Sequence, residues 1–144
     1  MGTPVILCGK TEAIGVGVIA NLKPEYEVIH FVTSPEGGAA QIPAILSGEQ
    51  SVQADSDLGS KDYSRPVAAV ILGGGYDDAA AEVMLKATRA HEGARGVPWL
   101  RPDSSKPSPP LGPEYGKALV ARIKELIPKL ESENKMDSTE VHYF

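Results

Sequence analysis

Short apolar runs alternate with amphipathic stretches along most of this chain. The runs are rich in β-branched residues, which favours strands, and the stretches between them repeat apolar residues every three or four positions, which favours helices. Strands that alternate with helices are typical of a parallel sheet with helices on both faces. The pattern predicts a three-layer α/β fold with a short, mostly parallel sheet of about four or five strands.

The two kinds of stretch also predict where each element begins and ends. Strands are expected at 4–8, 26–32, 51–54, 66–72 and 97–100, with 51–54 and 97–100 at edges of the sheet. Helices are expected at 13–23, at 39–47, from Asp77 or Asp78 to the residue before Gly93, and at 114–130.

The chain is expected to form one domain, residues 1–130, followed by a polar tail, residues 131–144, that ends in an apolar and aromatic tip. A length of 144 residues, 42% of them hydrophobic, suits a single core. Prolines crowd the segment 101–113, which favours a surface loop before the last helix.

Charge and composition argue against several partners and cofactors. The net charge of -5 includes no basic cluster, so nucleic acid is not expected as a partner. No apolar run approaches the ~20 residues of a spanning helix, so no membrane partner is expected. One cysteine, Cys8, and three scattered histidines indicate neither a disulfide framework nor a metal site. A cytoplasmic location is predicted.

The junction between the first strand and the first helix carries the main functional signal. Gly9 and Gly15 flank a turn that follows an apolar strand and opens a helix. The free N–H groups at a helix N-terminus, together with the helix dipole, can hold a phosphate. Glycine also serves such turns for close packing alone. The junction is therefore a candidate nucleotide site, with packing as the alternative interpretation.

This junction resembles the glycine-rich turn of the short-chain dehydrogenase/reductase family, T-G-x-x-x-G-I-G. Gly9, Ile14 and Gly15 match that pattern, whereas Cys8 and Ala13 replace its threonine and middle glycine. The resemblance extends over about the first half of the chain, residues 4–76. It implies a Rossmann-like domain that binds NAD or NADP, with cofactor contacts at Gly9, Lys10, Thr11, Ile14 and Gly15.

Two later segments are similar to further parts of the same family. Residues 52–55 are similar to a strand whose final aspartate contacts adenine, and residues 70–75 are similar to a strand that ends in N-N-A-G. The resemblance adds Asp55, Gly73, Gly74 and Gly75 to the expected cofactor contacts.

The choice between NAD and NADP depends on the end of the second strand. Thr33 and Ser34 can hydrogen-bond a 2′-phosphate, whereas Glu36 can bind ribose hydroxyls, so both cofactors stay open. The catalytic tyrosine and lysine of the family, four positions apart, have no counterpart: Tyr115 and Lys117 are two positions apart. Catalytic residues are therefore unknown, and a core contact is the simpler interpretation of Tyr115.

Two other functions remain open. One is a cofactor-free interaction protein, and the other is a small lyase, isomerase or cyclase that uses His30, Tyr76, Tyr115 or Arg101 in the same crevice. Arg101 is otherwise expected to pair with Asp103 at the surface. A homodimer is predicted, in which residues 97–100, the last helix or the tail cover an edge of the short sheet.

Overall fold

A computed structural model describes residues 2–110 and 112–144. Strands and helices alternate along these residues, as the sequence pattern predicts. In chain order they are β1 (Thr3–Cys8), α1 (Glu12–Leu22), β2 (Tyr26–Val32), α2 (Pro35–Leu46), β3 (Ala69–Leu72), α3 (Asp78–Ala90), β4 (Trp99–Arg101), α4 (Pro113–Ser132) and β5 (Val141–Tyr143).

The strands form one parallel sheet in the order β2-β1-β3-β4-β5. Helices α1 and α4 pack together on one face of the sheet, and α2 and α3 pack together on the other. The chain winds away from the neighbouring strands β1 and β3 in opposite directions, which makes the space between them the switch point of a doubly wound sheet. The predicted three-layer, Rossmann-like α/β fold is confirmed.

Each central strand contributes side chains to two cores, because successive residues of a strand point to opposite faces. In β1, Val5 and Leu7 enter the core under α1 and α4, whereas Ile6 and Cys8 enter the core under α2 and α3. Burying such a side chain stabilises the fold by about 1.5–3 kcal/mol. The apolar runs of the sequence are continuous because both faces of the sheet are covered.

Helix α2 begins at Pro35, earlier than the predicted residue 39. Ser34 caps it, because its Oγ accepts the N–H of Gly37 at 3.0 Å, and Pro35 follows in the first turn, where its missing N–H costs nothing. Gly37 and Gly38 also lie in this first turn. The prediction was wrong because the cap and the proline outweigh the low helix propensity of glycine.

The strand predicted at 51–54 is absent, since these residues belong to a loop. Further along that loop, the N–H groups of Ser60 and Lys61 donate to the carbonyls of Val28 and Ile29 at 3.0 and 2.8 Å. The loop therefore covers the outer edge of β2 with isolated hydrogen bonds instead of a paired strand. Apolar side chains of the loop still pack on the cores, Leu58 on the side of α1 and Val52 and Tyr63 on the side of α2.

The tail supplies the fifth strand. Strand β5 pairs with β4, so β4 lies inside the sheet and the prediction of an edge strand at 97–100 was wrong. Pro98 precedes β4, where it removes no hydrogen bond of the ladder. Phe144 is buried, and its N–H donates to the carbonyl of Arg101 at 2.9 Å. Phe144 thus packs into the core of its own chain, whereas Tyr143 stays exposed.

Candidate functional site

A crevice with a volume of about 150 Å³ lies between the carboxyl ends of β1 and β3. Ligands of doubly wound sheets bind at this position, outside the strand ends at the switch point. The turn after β1, the turn after β3 and helix α4 form its walls. The crevice brings together eight of the predicted site residues: Gly9, Lys10, Thr11, Ile14, Gly15, Gly73, Gly74 and Gly75.

The interior of the crevice is apolar. Its floor and far wall come from β2, α4 and the end of the chain, through Phe31, Leu119, Ile123 and Phe144. None of these four residues is among the site residues that the sequence predicts. The apolar stripe of α4 predicts core packing and no more. The residues around Phe31 and Phe144 in the sequence do not indicate that either ring will contact a glycine turn.

Both glycines of the first turn pack against the ring of Phe31. A Cβ atom on Gly15 would lie 2.7 Å from Phe31 Cε1, and one on Gly9 would lie 3.0 Å from Cζ. Phe31 is fully buried, and a Cβ atom at either glycine would require its ring to shift. The close-packing interpretation of Gly9 and Gly15 therefore has direct geometric support.

The first turn of α1 leaves backbone donors at the mouth of the crevice. Its N-cap, Thr11, is extended and makes no side-chain capping hydrogen bond. The first N–H groups of any helix lack partners within the helix, and the dipole is positive at that end. Lys10 and Thr11 are both exposed. This arrangement can accept an anion.

Lys10 spans the mouth between the two glycine turns. Its Nζ lies 5.0 Å from the ring centroid of Tyr76, a cation–π contact, and its side chain passes over Gly75. The Tyr76 hydroxyl donates to the carbonyls of Val32 and Gly9, at 3.2 and 3.3 Å. Burial raises the pKa of Tyr76, so its phenol stays protonated and ties the strand ends together.

Cys8 lies at the end of β1, beneath the crevice. Its side chain is buried, and this burial raises the pKa of the thiol. Nucleophilic chemistry requires the thiolate. Cys8 therefore acts as a small apolar residue of the core.

A second, polar recess lies beside the crevice at the carboxyl ends of β3, β4 and β5, and Gly74 and Tyr115 line both spaces. In this recess Arg101 donates to the carboxylate of Asp78 at 2.9 Å and to the carbonyl of Tyr76 at 3.1 Å. The expected pair between Arg101 and Asp103 is not formed. Asp103 instead accepts hydrogen bonds from Ser105, two residues further along the loop.

The structure also shows which aspartate caps α3 and where Tyr115 and Lys117 lie. Asp77 caps α3, because its Oδ1 accepts the N–H of Ala80 at 2.8 Å. Tyr115 lines the crevice, whereas Lys117 is exposed and lies 3.7 Å from Glu114. Residues two positions apart on a helix do not share a face. Tyr115 and Lys117 therefore form no tyrosine–lysine pair in the crevice.

Ser34 and Asp55 lie outside the crevice. Ser34 caps α2, and Asp55 accepts a hydrogen bond from the side-chain amide of Gln41 at 2.9 Å. The structure places both residues near the start of α2, on the side of the sheet away from α1. A ligand in the crevice would contact Ser34 or Asp55 only if it extended across the carboxyl end of β2.

His30 is part of a buried polar network with these residues. Because the Gln41 amide nitrogen donates to Asp55, the Gln41 oxygen accepts from His30 Nε2, at 2.7 Å. The hydroxyl of Tyr63 then donates to His30 Nδ1, also at 2.7 Å. Burial lowers the pKa of His30, so the imidazole is neutral. His30 does not line the crevice, which removes it from the candidate catalytic groups there.

Across residues 2–110 and 112–144, no group of three or more His, Cys, Asp or Glu side chains is placed to hold a metal ion. None of the helices in the same range is both long enough and apolar enough to cross a bilayer.

The fold and the crevice define a doubly wound, Rossmann-like α/β protein with an apolar cavity at its switch point. No family model matches the chain, and no solved structure matches it. The chain is similar to "Kojic acid related protein 6" of Aspergillus oryzae (strain ATCC 42149 / RIB 40). The two are 37% identical over 144 residues, which cover 99% of this chain and 86% of the relative. The chain belongs to the family of that protein.

Proposed function

We propose that the crevice binds a nucleotide, NAD or NADP. One observation carries the proposal: two glycine turns meet around a single cavity at the switch point, beside a helix N-terminus that has no side-chain cap. Phosphate groups would lie on the free N–H groups of α1, near the ammonium group of Lys10. The apolar wall suits the flat face of a heteroaromatic ring.

The proposal concerns binding and names no reaction. A dehydrogenase of the family that the first turn resembles uses a tyrosine–lysine pair, and Lys117 does not lie with Tyr115 at the crevice. The Tyr76 hydroxyl is neutral and donates to a backbone carbonyl, and the Cys8 thiol is buried. The crevice residues therefore support the binding of a ligand.

Isothermal titration with NAD, NADP, their reduced forms, FAD and ATP tests the proposal. We expect NAD or NADP to bind, and Lys10→Glu to weaken that binding about tenfold, or about 1.4 kcal/mol, because it reverses the charge beside the phosphates. Lys86→Glu is the matched control, since Lys86 is exposed on α3 and does not line the crevice.

Two results would overturn this proposal. One is the absence of binding by every nucleotide in the series at millimolar concentration. The other is an equal loss of affinity in both lysine variants, because that would reflect the net charge of the protein and not a site at α1.

A second candidate function is the binding of a small organic molecule without a cofactor. The specific observation is the size of the crevice: about 150 Å³, against roughly 300–1,000 Å³ for pockets that hold drug-sized ligands. The name of the relative links that protein to kojic acid, which makes kojic acid a suitable probe. A thermal-shift titration that responds to kojic acid and to no nucleotide would favour this candidate. A response to neither leaves the cofactor-free interaction protein.

A further inference from the structure

The outer side of α1 is an apolar surface with no cover. We propose that a second copy of this chain docks on it, with the two α1 helices antiparallel across a two-fold axis. We call this surface the α1 face and define it by Ala13, Val16, Gly17 and Ala20, all of which are exposed. The proposal does not depend on what the crevice binds.

Helix α1 is apolar on both of its sides. Gly15, Val18 and Leu22 point into the core, as the inner side of a helix requires. The outer side would normally carry charges, yet it presents the α1 face. Val16 is 53% exposed, with Ala13 and Ala20 on the turns before and after it, and the charge within the helix is confined to Glu12 at its start. A helix that is apolar on most of its surface is typical of a position covered by another element.

Helix α3 shows what a solvated helix of this protein looks like. Its exposed valine, Val83, is 48% exposed, close to the value of Val16. Lys86 lies one turn after Val83 on the same side, and the exposed Glu82 and Arg89 add further charge along α3, whereas Glu12 is the single charged residue within α1. Apolar residues scattered among charges are normal on a surface, whereas the outer side of α1 carries no charge between residues 13 and 20.

The shape of the α1 face suits a second helix. Grooves run along both of its sides: one is shared with α4 and passes Gly17 and Gly116, and the other is shared with the loop after α2 and passes Val16 and Leu58. A Cβ atom on Gly17 would meet nothing within 4 Å, so the backbone of another helix can come close there. A ridge between two grooves is the arrangement that helix packing requires.

The charges at the two ends of α1 identify the partner as a second copy. Glu12 lies at the start of the helix, and Lys23 follows its last residue, both exposed. An antiparallel two-fold axis places Glu12 against Lys23 of the partner subunit, and the same pair forms twice. The two helix dipoles also oppose each other in this arrangement, which is favourable. A parallel pair would instead bring like charges together.

Sedimentation velocity of the full chain at micromolar concentration tests the proposal. We expect a dimer that Val16→Glu converts to a monomer. Val83→Glu is the matched control, because it places the same charge at an equally exposed valine of another helix, and it should remain dimeric. Circular dichroism should show that both variants are folded, since neither valine is buried. A monomeric wild type, or equal dimerisation of both variants, overturns the proposal.

Charge reversal tests the antiparallel arrangement itself. Glu12→Lys and Lys23→Glu should each raise the dimer dissociation constant several-fold, and the double variant should recover the wild-type value. A double variant that is no better than the single ones overturns the antiparallel pairing. Loss of the dimer in Tyr143→Glu, with no effect of Val16→Glu, would place the interface at the edge strand β5 instead.

Discussion

Phe31 explains why residues 9 and 15 are glycines. Its ring fills the space where their side chains would be, so the turn after β1 sits directly on β2. Any ligand must therefore approach from the open side of the turn, where Lys10 and Thr11 are exposed. At the scale of single residues, glycine is needed here mainly because the backbone packs against the ring of Phe31. This packing fixes the position of the backbone N–H donors at the start of α1.

The two glycines at the centre of α1 should respond oppositely to alanine. Gly15→Ala should destabilise the protein by about 1–3 kcal/mol, because its Cβ would overlap the buried ring of Phe31. Gly17→Ala should stabilise it by about 0.5–1 kcal/mol, because the site is open and alanine favours a helix. Urea unfolding at concentrations that favour the monomer measures both values. Equal effects would contradict the packing assigned to Phe31.

The sequence predicts one part of the crevice and misses the other. Gly9, Lys10 and Gly15 could be assigned because a strand, a tight turn and a helix lie next to one another along the chain. Phe31 and Phe144 could not be assigned, because their place in the wall depends on which strands become neighbours. Local patterns contain no information on that pairing.

The network around His30 joins three elements: β2, α2 and the loop that covers the edge of β2. His30 bonds to Gln41 of α2 on one side and to Tyr63 of the loop on the other. The loop also contacts β2 through side chains, because Ser60 Oγ donates to the carboxylate of Glu27 at 2.6 Å and Arg65 pairs with the same carboxylate at 3.1 Å. With a neutral imidazole, the His30 network adds a buried connection between this loop and α2.

Stability should depend on pH through His30. Its pKa in the fold lies below the value of about 6.5 in the unfolded chain, so the unfolded state binds the proton first as pH falls. The free energy of unfolding should thus be unaffected above about pH 7 and fall below about pH 6.5, by at most about 1.4 kcal/mol per pH unit. Urea unfolding between pH 7.5 and about pH 5 measures this slope.

Two histidine variants separate this effect from others. In His30→Gln the slope above pH 5 should disappear, whereas His91→Gln, at the exposed end of α3, should retain it. An unchanged slope in His30→Gln would show that another group is responsible.

The two strands that the sequence mispredicted share a physical cause. No paired strand forms at 51–54, the predicted edge strand, and loop hydrogen bonds cover the outer edge of β2. The interior position of β4 depends on β5, which comes from a tail separated from β4 by the whole of α4. Long-range pairing, and not local propensity, decides both cases.

At the scale of the whole molecule, the sheet order creates the site. Because β1 and β3 are neighbours and the chain leaves them in opposite directions, the turns after both strands open onto one space. The alternation of strands and helices predicted this layering correctly. The outer side of α1 is left uncovered in this fold. The start of α1 therefore borders the crevice, and its outer side forms the α1 face.

Backbone amide NMR of the labelled protein, titrated with NAD and NADP and then with kojic acid, tests the central claim most directly. The crevice account predicts shifts that begin at residues 9–15 and 73–75 and extend to Tyr115, with the amides of α3 unchanged. Shifts that avoid both glycine turns, or no shift with any of these compounds, would contradict the claim that the switch-point crevice is the binding site.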